Sequence, residues 1–256
     1  MAEIRTPKIR IENFSLRYSD GNESLRDITL DVYANQINVF FGPSGGGKSS
    51  LLRAVNRLND LTDVALQGGR ILLDGENIYD PACNVIDLRR RVGIVFARPV
   101  PLPMSMYRNL TYGLELAGVR DKARLDAAVE RSLRQAVLWE EVSDRLHESA
   151  YALSGGQQQR LCLARVLALQ PEVVLLDEPT SGLDPISTLK VERTLQELKS
   201  EYTFVVVPHS VQQAARIADW GAFFLQGELV EEGDGRTLFT TPKDSRTDEY
   251  ITGRFG

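Results

Sequence analysis

The sequence predicts an α/β fold with a mainly parallel sheet, an antiparallel β part at the N-terminal end and a helical insertion. Short continuous apolar runs alternate with segments of helical spacing, which is the pattern of a parallel sheet covered by helices. The first strands instead alternate apolar and polar residues, as half-buried antiparallel strands do. A third segment, at about residues 98–153, has mostly helical character. We therefore expect one domain over residues 1–256, with a core of residues 1–97 and 154–256 and a helical subdomain between them.

The N-terminal part contributes strands of two kinds. Residues 8–14 and 25–33 alternate in polarity and are predicted to form antiparallel strands. Residues 37–41 (INVFF) form a mainly apolar run, which suits a strand buried on both faces. Residues 70–79 contain an Asp-Gly dipeptide between two strand-like runs, and we expect a hairpin there.

The rest of the chain repeats the alternation of strand and helix. Further buried strands are predicted at residues 92–96, 173–177 and 203–207, and a closing hairpin is predicted around Gly227. Three prolines between positions 99 and 103 interrupt regular structure before the insertion. Helical spacing predicts helices at residues 51–58, 121–138 and 186–199, and helices that begin after Ser154 and at Ser210.

Composition limits the possible classes of function. Of the 256 residues, 43% are hydrophobic and 25% are charged, which supports a sizeable core and argues against wholesale disorder. The formal net charge of -5 argues against a free-standing nucleic-acid binder, so no nucleic-acid partner is expected. Cys83 and Cys162 lie far apart and indicate neither a disulfide framework nor a zinc site. The first residues lack the apolar stretch of a signal peptide, and no apolar run approaches the ~20 residues that cross a bilayer, so any membrane spans are expected from other chains.

A glycine-rich segment after the predicted strand 37–41 matches the phosphate-binding pattern G-x-x-x-x-G-K-[ST]. Backbone N–H groups in such a loop turn inward around phosphate oxygens, and the following helix terminus favours an anion. We expect Lys48 to reach the β- and γ-phosphates and Ser49 to ligate Mg²⁺. The segment predicts a P-loop NTPase core, and its expected nucleotide-binding residues are Gly42, Pro43, Ser44, Gly45, Gly46, Gly47, Lys48, Ser49 and Ser50.

Two acidic residues end the buried run VVLLDE at residues 173–178. Taken alone, the run is equally compatible with a strand that simply leaves the sheet in a polar turn. Together with the phosphate-binding pattern, Asp177 is the expected partner of Mg²⁺ and Glu178 is the expected general base for the attacking water.

The segment Leu153-Ser-Gly-Gly-Gln157, followed by QQRLCLARVLA, resembles the signature motif of ABC ATPases. It precedes VVLLDEPTSGLDP, which is the order found in that family, and the resemblance covers the chain from about Ile9 onward. The resemblance implies the ABC ATPase fold and assigns signature roles to Ser154, Gly155, Gly156 and Gln157.

Three further residues take roles from the same resemblance. Asp184 falls in the family's D-loop, and His209 is the switch histidine that senses the γ-phosphate. Tyr18 stands where the family places an aromatic ring against adenine, although a core or surface tyrosine is an open alternative. In the family, the signature of one subunit and the phosphate loop of another enclose each nucleotide, which implies a homodimer.

Less universal segments resemble the ATPase of phosphate-specific importers, above all residues 92–113 and the terminal YITGRFG. That resemblance implies a peripheral protein at the cytoplasmic face of the cell (inner) membrane. It also implies two membrane-spanning permease subunits and, through them, an extracytoplasmic solute-binding protein. The ATPase does not contact the solute in this family, so phosphate rests on likeness alone.

Two positions depart from the family pattern. Ala97 stands where the family has a glutamine that reaches toward Mg²⁺ and the attacking water and links the site to the helical insertion. Pro208 stands where a threonine is usual, and proline removes one N–H just before His209. We expect weaker positioning of the water and weaker coupling, with the phosphate loop, the Mg²⁺ ligands and the base retained.

Three other functions remain open. One is an ABC importer for polar amino acids or another oxyanion. A second is a soluble ABC ATPase of translation or DNA repair, although such chains carry two fused ATPase domains or a long coiled-coil insertion. A third is a regulatory subunit with weak hydrolysis, which Ala97 alone favours.

Overall fold

The structure is a computed structural model that describes residues 6–254, so the last two residues of the YITGRFG segment lie outside the described part. In that part, no helix is long and apolar enough to span a membrane. Its strands are β1 (Pro7–Tyr18), β2 (Glu23–Tyr33), β3 (Ile37–Phe41), β4 (Val64–Leu73), β5 (Glu76–Asn77), β6 (Val92–Val95), β7 (Val173–Asp177), β8 (Thr203–Val207), β9 (Trp220–Leu225) and β10 (Glu228–Asp234). Its α-helices are α1 (Lys48–Val55), α2 (Val85–Arg91), α3 (Met106–Leu116), α4 (Lys122–Gln135), α5 (Trp139–Val142), α6 (Gly155–Ala168), α7 (Pro185–Leu198), α8 (Val211–Ile217), α9 (Gly235–Thr240) and α10 (Ser245–Ile251).

The N-terminal strands form a small antiparallel sheet in the order β2-β1-β4-β5. Alternate residues of β1 are buried as its sequence predicts, up to an irregularity between Ile11 and Phe14. Asn13, in that interval, has a positive φ of 48°. The predicted hairpin is present between β4 and β5, and Asp74 and Gly75 both have positive φ, as a two-residue hairpin turn requires.

The larger sheet has the order β10-β9-β3-β8-β7-β6 and is parallel except for β10. Its central strands β3 and β8 are buried along their whole length, because both faces are covered. Successive side chains of β8 enter different cores: Phe204 packs on the side of α6 and α7, and Val205 packs on the side of α1 and the small sheet. Fully burying one such side chain stabilises the fold by about 1.5–3 kcal/mol, so the apolar residues of these strands strongly favour their central place in the sheet.

The parallel arrangement places the carboxyl ends of β3, β6, β7 and β8 at one edge of the sheet. Ligands of open α/β sheets bind in the crevice outside that edge. The four loops that leave it carry the phosphate-binding pattern, Ala97, the acidic pair and His209. The fold therefore gathers the predicted site from four distant parts of the sequence.

The predicted fold class is confirmed, and the strands at residues 37–41, 173–177 and 203–207 have the predicted bounds. The helices of the segment 98–153 are α3, α4 and α5, and both α3 and α4 pack on α6. Its treatment as a separate subdomain stays a prediction. The sequence did not predict α2, in which only Leu88 is buried, so its apolar periodicity is weak.

Four charged side chains join the two sheets at the edge opposite the predicted site. The ammonium of Lys8 donates to Asp74 at 2.8 Å and to Glu172 at 2.6 Å, and Arg91 donates to the other oxygen of Glu172 at 2.7 Å. Arg91 also reaches Asp74. Hydrogen bonds from Arg91, and then from Lys8, lower the pKa of Glu172 to about 2 against the opposing effect of its burial. This network ties β1 and the hairpin turn to α2 and to the start of β7.

Candidate functional site

Residues 42–47 form a loop that carries the chain from β3 into α1, and neighbouring strands fix its course. Gly42 has a φ of 137° and Gly47 a φ of 92°, conformations that favour glycine. A methyl group on Gly42 would collide with the carbonyl of Phe224, and one on Gly47 with the carbonyl of Ser24. Since β9 and β2 press on the loop from both sides, glycine is required at these two positions for packing as well as for backbone geometry.

Lys48 begins α1 and points back across this loop. Its ammonium donates to the carbonyl oxygen of Gly42 at 2.8 Å and to that of Pro43 at 2.7 Å. Burial lowers the pKa of Lys48, and the nearby carboxylates of Asp177 and Glu178 partly offset that effect. A half-buried cation with two carbonyl partners is well placed to bind an anion, because an anion compensates its lost hydration.

Ser49 and Asp177 form the candidate metal pair. The Ser49 hydroxyl donates to Asp177 Oδ1 at 3.1 Å, so both oxygens point at the same space. Burial raises the pKa of Asp177, and the charge of Glu178 raises it further, against the hydrogen bond from Ser49. Hydroxyl and carboxylate oxygens are hard donors that suit Mg²⁺. No cluster of three or more His, Cys, Asp or Glu side chains occurs within residues 6–254.

Glu178 and His209 leave adjacent strands and face each other. Glu178 Oε2 lies 3.6 Å from His209 Nδ1, and both side chains are substantially exposed. Glu178 has a positive φ of 46°, an uncommon conformation for this residue type, and its N–H donates to the carbonyl of Val207 at 2.8 Å. The turn after β7 therefore directs this carboxylate toward the loop after β8.

A buried glutamine holds these two loops together, and sequence reasoning missed it. Gln213, on α8, accepts a hydrogen bond from the N–H of His209 at 3.0 Å. Its amide nitrogen donates to the hydroxyl of Thr180, two residues after Glu178, at 2.9 Å. The segment QQAA of α8 gave no signal, because a buried glutamine is distinguished from an exposed one only by its tertiary contacts.

A cavity of 280 Å³ lies at the phosphate loop. The structure thereby brings together most of the predicted nucleotide-binding residues and Glu178, and it adds Asn22, Ser24 and Val207. The residues that line the cavity are Asn22, Ser24, Ser44, Gly45, Gly46, Gly47, Lys48, Ser49, Ser50, Glu178 and Val207.

Tyr18 does not line this cavity. Its hydroxyl lies 3.1 Å from Ser50 Oγ and 3.3 Å from Asn59 Oδ1, and its ring packs partly against the core between the sheets. Its predicted contact with adenine stays a prediction.

Among the described lining residues, none comes from the signature segment, residues 153–157. Ser154 is the N-cap of α6 and forms a capping box with Gln157, because each side chain bonds to the other residue's N–H. A methyl group on Gly156 would contact Leu183 at 2.7 Å, so the signature adjoins the predicted D-loop. Asp184 in that loop caps α7 by accepting from the N–H groups of Ile186 and Ser187.

Ala97 lies two residues beyond β6, half-buried in a bend. Because β6 pairs with β7 in parallel, this bend follows the strand next to Asp177. The carbonyl of the preceding Phe96 accepts a hydrogen bond from Gln159 of α6 at 2.9 Å, so backbone contact between this loop and the signature helix persists without a glutamine side chain. Pro208 lies between the end of β8 and His209, as its place in the sequence requires.

Comparison with known proteins decides the family. The model of the family described as ABC transporter matches residues 25–181, which include the phosphate loop, the signature, the acidic pair and the first D-loop residue. The chain belongs to the ABC transporter family. The resemblance predicted from the signature segment is thereby confirmed.

Curated ABC relatives match almost the full length. A protein named phosphate import ATP-binding protein PstB, from Pseudoalteromonas translucida, is 54% identical over 248 residues, covering 97% of this chain and 90% of its own length. Phosphate import ATP-binding protein PstB 1 from Vibrio vulnificus and a PstB from Shewanella denitrificans are each also 54% identical over 97% of this chain.

Solved ABC structures share the fold. A bacterial Atm1-family ABC exporter with ATP bound superposes with a TM-score of 0.81 at 26% identity, over 100% of this chain and 43% of that one. The protein cbiO1 from Clostridium perfringens, described as part of the ABC transporter complex cbiONQ, superposes with a TM-score of 0.78 at 25% identity, over 97% of this chain and 96% of that one.

Proposed function

We propose that this chain is the ATP-hydrolysing subunit of an ABC importer for inorganic phosphate. The observation that carries the proposal is the 54% identity, over 97% of the chain, to relatives named phosphate import ATP-binding proteins. The geometry supports the proposal, because the phosphate loop, the metal pair Ser49 and Asp177, and the carboxylate of Glu178 meet at one edge of the sheet.

In the proposed reaction the chain binds the triphosphate and positions a water. Loop N–H groups and Lys48 hold the β- and γ-phosphates, and His209 contacts the γ-phosphate. Glu178 accepts a proton as the water oxygen bonds to the γ-phosphorus and the bond to the β-phosphate oxygen breaks, which yields ADP and phosphate. Ser49 and Asp177 are the proposed ligands of Mg²⁺, which supplies positive charge against the phosphate oxygens when bound.

The functional unit is proposed to be a homodimer. The cavity at the phosphate loop has no lining residue from the signature segment of its own chain, among those described. The first turn of α6 is exposed at Ser154 and Gly155, where helix N–H groups attract an anion. Ser154, Gly155 and Gly156 therefore act on the nucleotide held by the partner's loop.

The proposed partners are two membrane-spanning permease subunits and, through them, an extracytoplasmic solute-binding protein. The chain then lies at the cytoplasmic face of the cell (inner) membrane as a peripheral subunit. The insertion offers a surface for the permease, since Val100, Tyr112 and Leu116 are apolar and exposed, and Tyr112 lines a groove of 260 Å³.

The experiment is reconstitution of the chain with its membrane subunits and solute-binding protein. We expect uptake of labelled phosphate that depends on ATP, with unlabelled phosphate competing and polar amino acids or other oxyanions failing to compete. Competition by one of those solutes in place of phosphate would assign a different substrate. The matched control is the same complex with Lys48→Ala, which keeps the subunits but loses the phosphate-binding cation.

A further inference from the structure

Glu141 lies on α5, outside the cavity and the signature segment, yet it contacts the signature directly. Its carboxylate accepts from Arg160 Nη1 at 2.6 Å and from Arg160 Nη2 at 3.0 Å. The same carboxylate accepts from the side-chain nitrogen of Gln157 at 3.0 Å. Three donors from α6 thus converge on one side chain of the insertion.

The pair with Arg160 fixes this carboxylate in place. The Arg160 side chain is only 8% exposed, and its Nη1 also donates to the carbonyl of Val137 at 2.6 Å. Two parallel N–H bonds from one guanidinium define both the position and the plane of a carboxylate. The hydrogen bonds from Arg160, more than that from Gln157, lower the pKa of Glu141, so the group is ionised at neutral pH and only accepts hydrogen bonds.

An ionised Glu141 sets the orientation of the Gln157 amide. Only the nitrogen end of that amide can face a carboxylate, so the oxygen end must face the other way. There it accepts from the N–H of Ser154 at 3.0 Å, while the Ser154 hydroxyl accepts from the N–H of Gln157 at 3.3 Å. Glu141 at the nitrogen end and the N–H of Ser154 at the oxygen end therefore favour the same orientation of the amide.

We propose that Glu141 is a positioning residue for the signature segment, acting through Gln157 on Ser154. This inference rests on the proposed function, in which the signature segment of one chain acts on the ATP of its partner. Glu141 therefore affects hydrolysis at the partner's phosphate loop and leaves its own loop unaffected.

The test uses Glu141→Gln, which keeps the shape of the side chain. A neutral amide has one accepting end and one donating end, so it cannot accept all three hydrogen bonds, and its donating end must face a donor of Arg160 or of Gln157. We expect kcat for ATP hydrolysis to fall about tenfold, since small positioning errors cost up to ~10²-fold, with little change in ATP binding. The matched control is Glu140→Gln, the neighbouring residue on α5, whose side chain is 83% exposed and pairs with Arg134.

Mixed dimers separate positioning from a general loss of stability. A limiting amount of wild-type chain is mixed with a large excess of Lys48→Ala chain, so that each working loop is completed by the signature of a Lys48→Ala chain. Placing Glu141→Gln on the excess chain should give the tenfold fall. In the second arrangement, Glu141→Gln is placed on the limiting chain and the excess chain carries Lys48→Ala alone. The rate should then equal that of the mixture without Glu141→Gln, although the same substitution is present.

Equal rates in the two arrangements, or a fall only when Glu141→Gln is on the limiting chain, would overturn the assignment of Glu141. A double-mutant comparison gives a second criterion: with Gln157→Ala already present, Glu141→Gln should lower kcat no further. Failure of the proposed function itself would give a different result, namely no ATP hydrolysis by the wild-type chain or no effect of the Lys48→Ala excess. That result would overturn this inference as well.

Discussion

Lys48 is held by two carbonyls of its own loop, and its pKa is lowered by burial. A phosphate would replace weak carbonyl contacts with charge-assisted ones, which are roughly twice as strong as neutral ones. We therefore expect Lys48 to contribute much of the affinity for a triphosphate, and its removal also deprives the carbonyls of Gly42 and Pro43 of a donor.

Lys48→Ala should lower steady-state ATP hydrolysis by about a hundredfold or more, the scale seen when one donor to a developing charge is removed. Phosphate release measures the rate, and thermal unfolding checks that the chain still folds. Lys122→Ala is the matched control, because that lysine is 86% exposed and pairs only with Asp126 among described partners. Equal rates for Lys48→Ala and the wild type would contradict the assigned role.

Ala97 lies in the bend after β6 and provides no amide to the site. Ala97→Gln should raise the turnover of the isolated chain, its stimulation by membrane partners, or both, because an amide there can position water and link the site to the insertion. ATPase rates with and without the reconstituted transporter measure the two effects. Ala97→Leu adds similar bulk without an amide and should not reproduce the gain; no change with Ala97→Gln would show that the position is compensated elsewhere.

Sequence patterns predicted the residues whose identity depends on local geometry. Gly42 and Gly47 were found because a phosphate loop needs glycine at fixed spacing, and Asp177 because it ends an apolar strand. The contacts of Gln213 with Thr180, and of Glu141 with Gln157, were not found. Each joins elements far apart in the sequence, and no local pattern distinguishes those side chains from ordinary polar ones. The catalytic and binding roles assigned from sequence stay predictions.

Elements were predictable in proportion to how much of them is buried. Strands β3 and β8 are buried at every position, and apolar except at Asn38 and Thr203, because two cores cover them, and their bounds were predicted correctly. By contrast, α2 buries only Leu88, and its three consecutive arginines hide its helical character. One of them, Arg91, belongs to the ion network that joins α2 to the small sheet and to β7.

That network predicts a stability that depends on pH. The pKa of Glu172 is lowered to about 2 in the folded chain, against about 4.3 in an unfolded one. Its stabilising contribution is therefore complete above the unfolded value and is lost as the pH falls through about 4 toward about 2. Glu172→Gln should lower the melting temperature near neutral pH and reduce its further fall over that acid range.

Melting temperatures measured from neutral pH to about pH 2 test this. Glu197→Gln is the matched control, because Glu197 forms an exposed pair with Arg193 on α7 and such pairs contribute little. Parallel acid profiles for the wild type and Glu172→Gln would contradict a role for the network in holding the two sheets together.

At the scale of the whole molecule, the phosphate loop and the signature segment are separate surfaces of one chain. Blocking hydrolysis should therefore trap two chains around unhydrolysed ATP. Glu178→Gln is expected to bind ATP, to hydrolyse it about 10²–10⁴-fold more slowly and to form a dimer with MgATP. Light scattering measures the mass with and without nucleotide; the double variant Lys48→Ala, Glu178→Gln should stay monomeric, and a monomeric Glu178→Gln at high concentration would count against the dimer.

The separation of loop and signature also bears on inheritance. In the proposed dimer, a chain with an inactive signature segment keeps its own phosphate loop and still forms dimers. It therefore inactivates the site that contains the phosphate loop of an intact partner. In a cell that makes both forms, the share of dimers with two sound sites falls as the square of the share of intact chains. Substitutions at Ser154 or Gly156 should therefore behave as dominant in genetic tests, whereas changes that unfold the chain should be recessive.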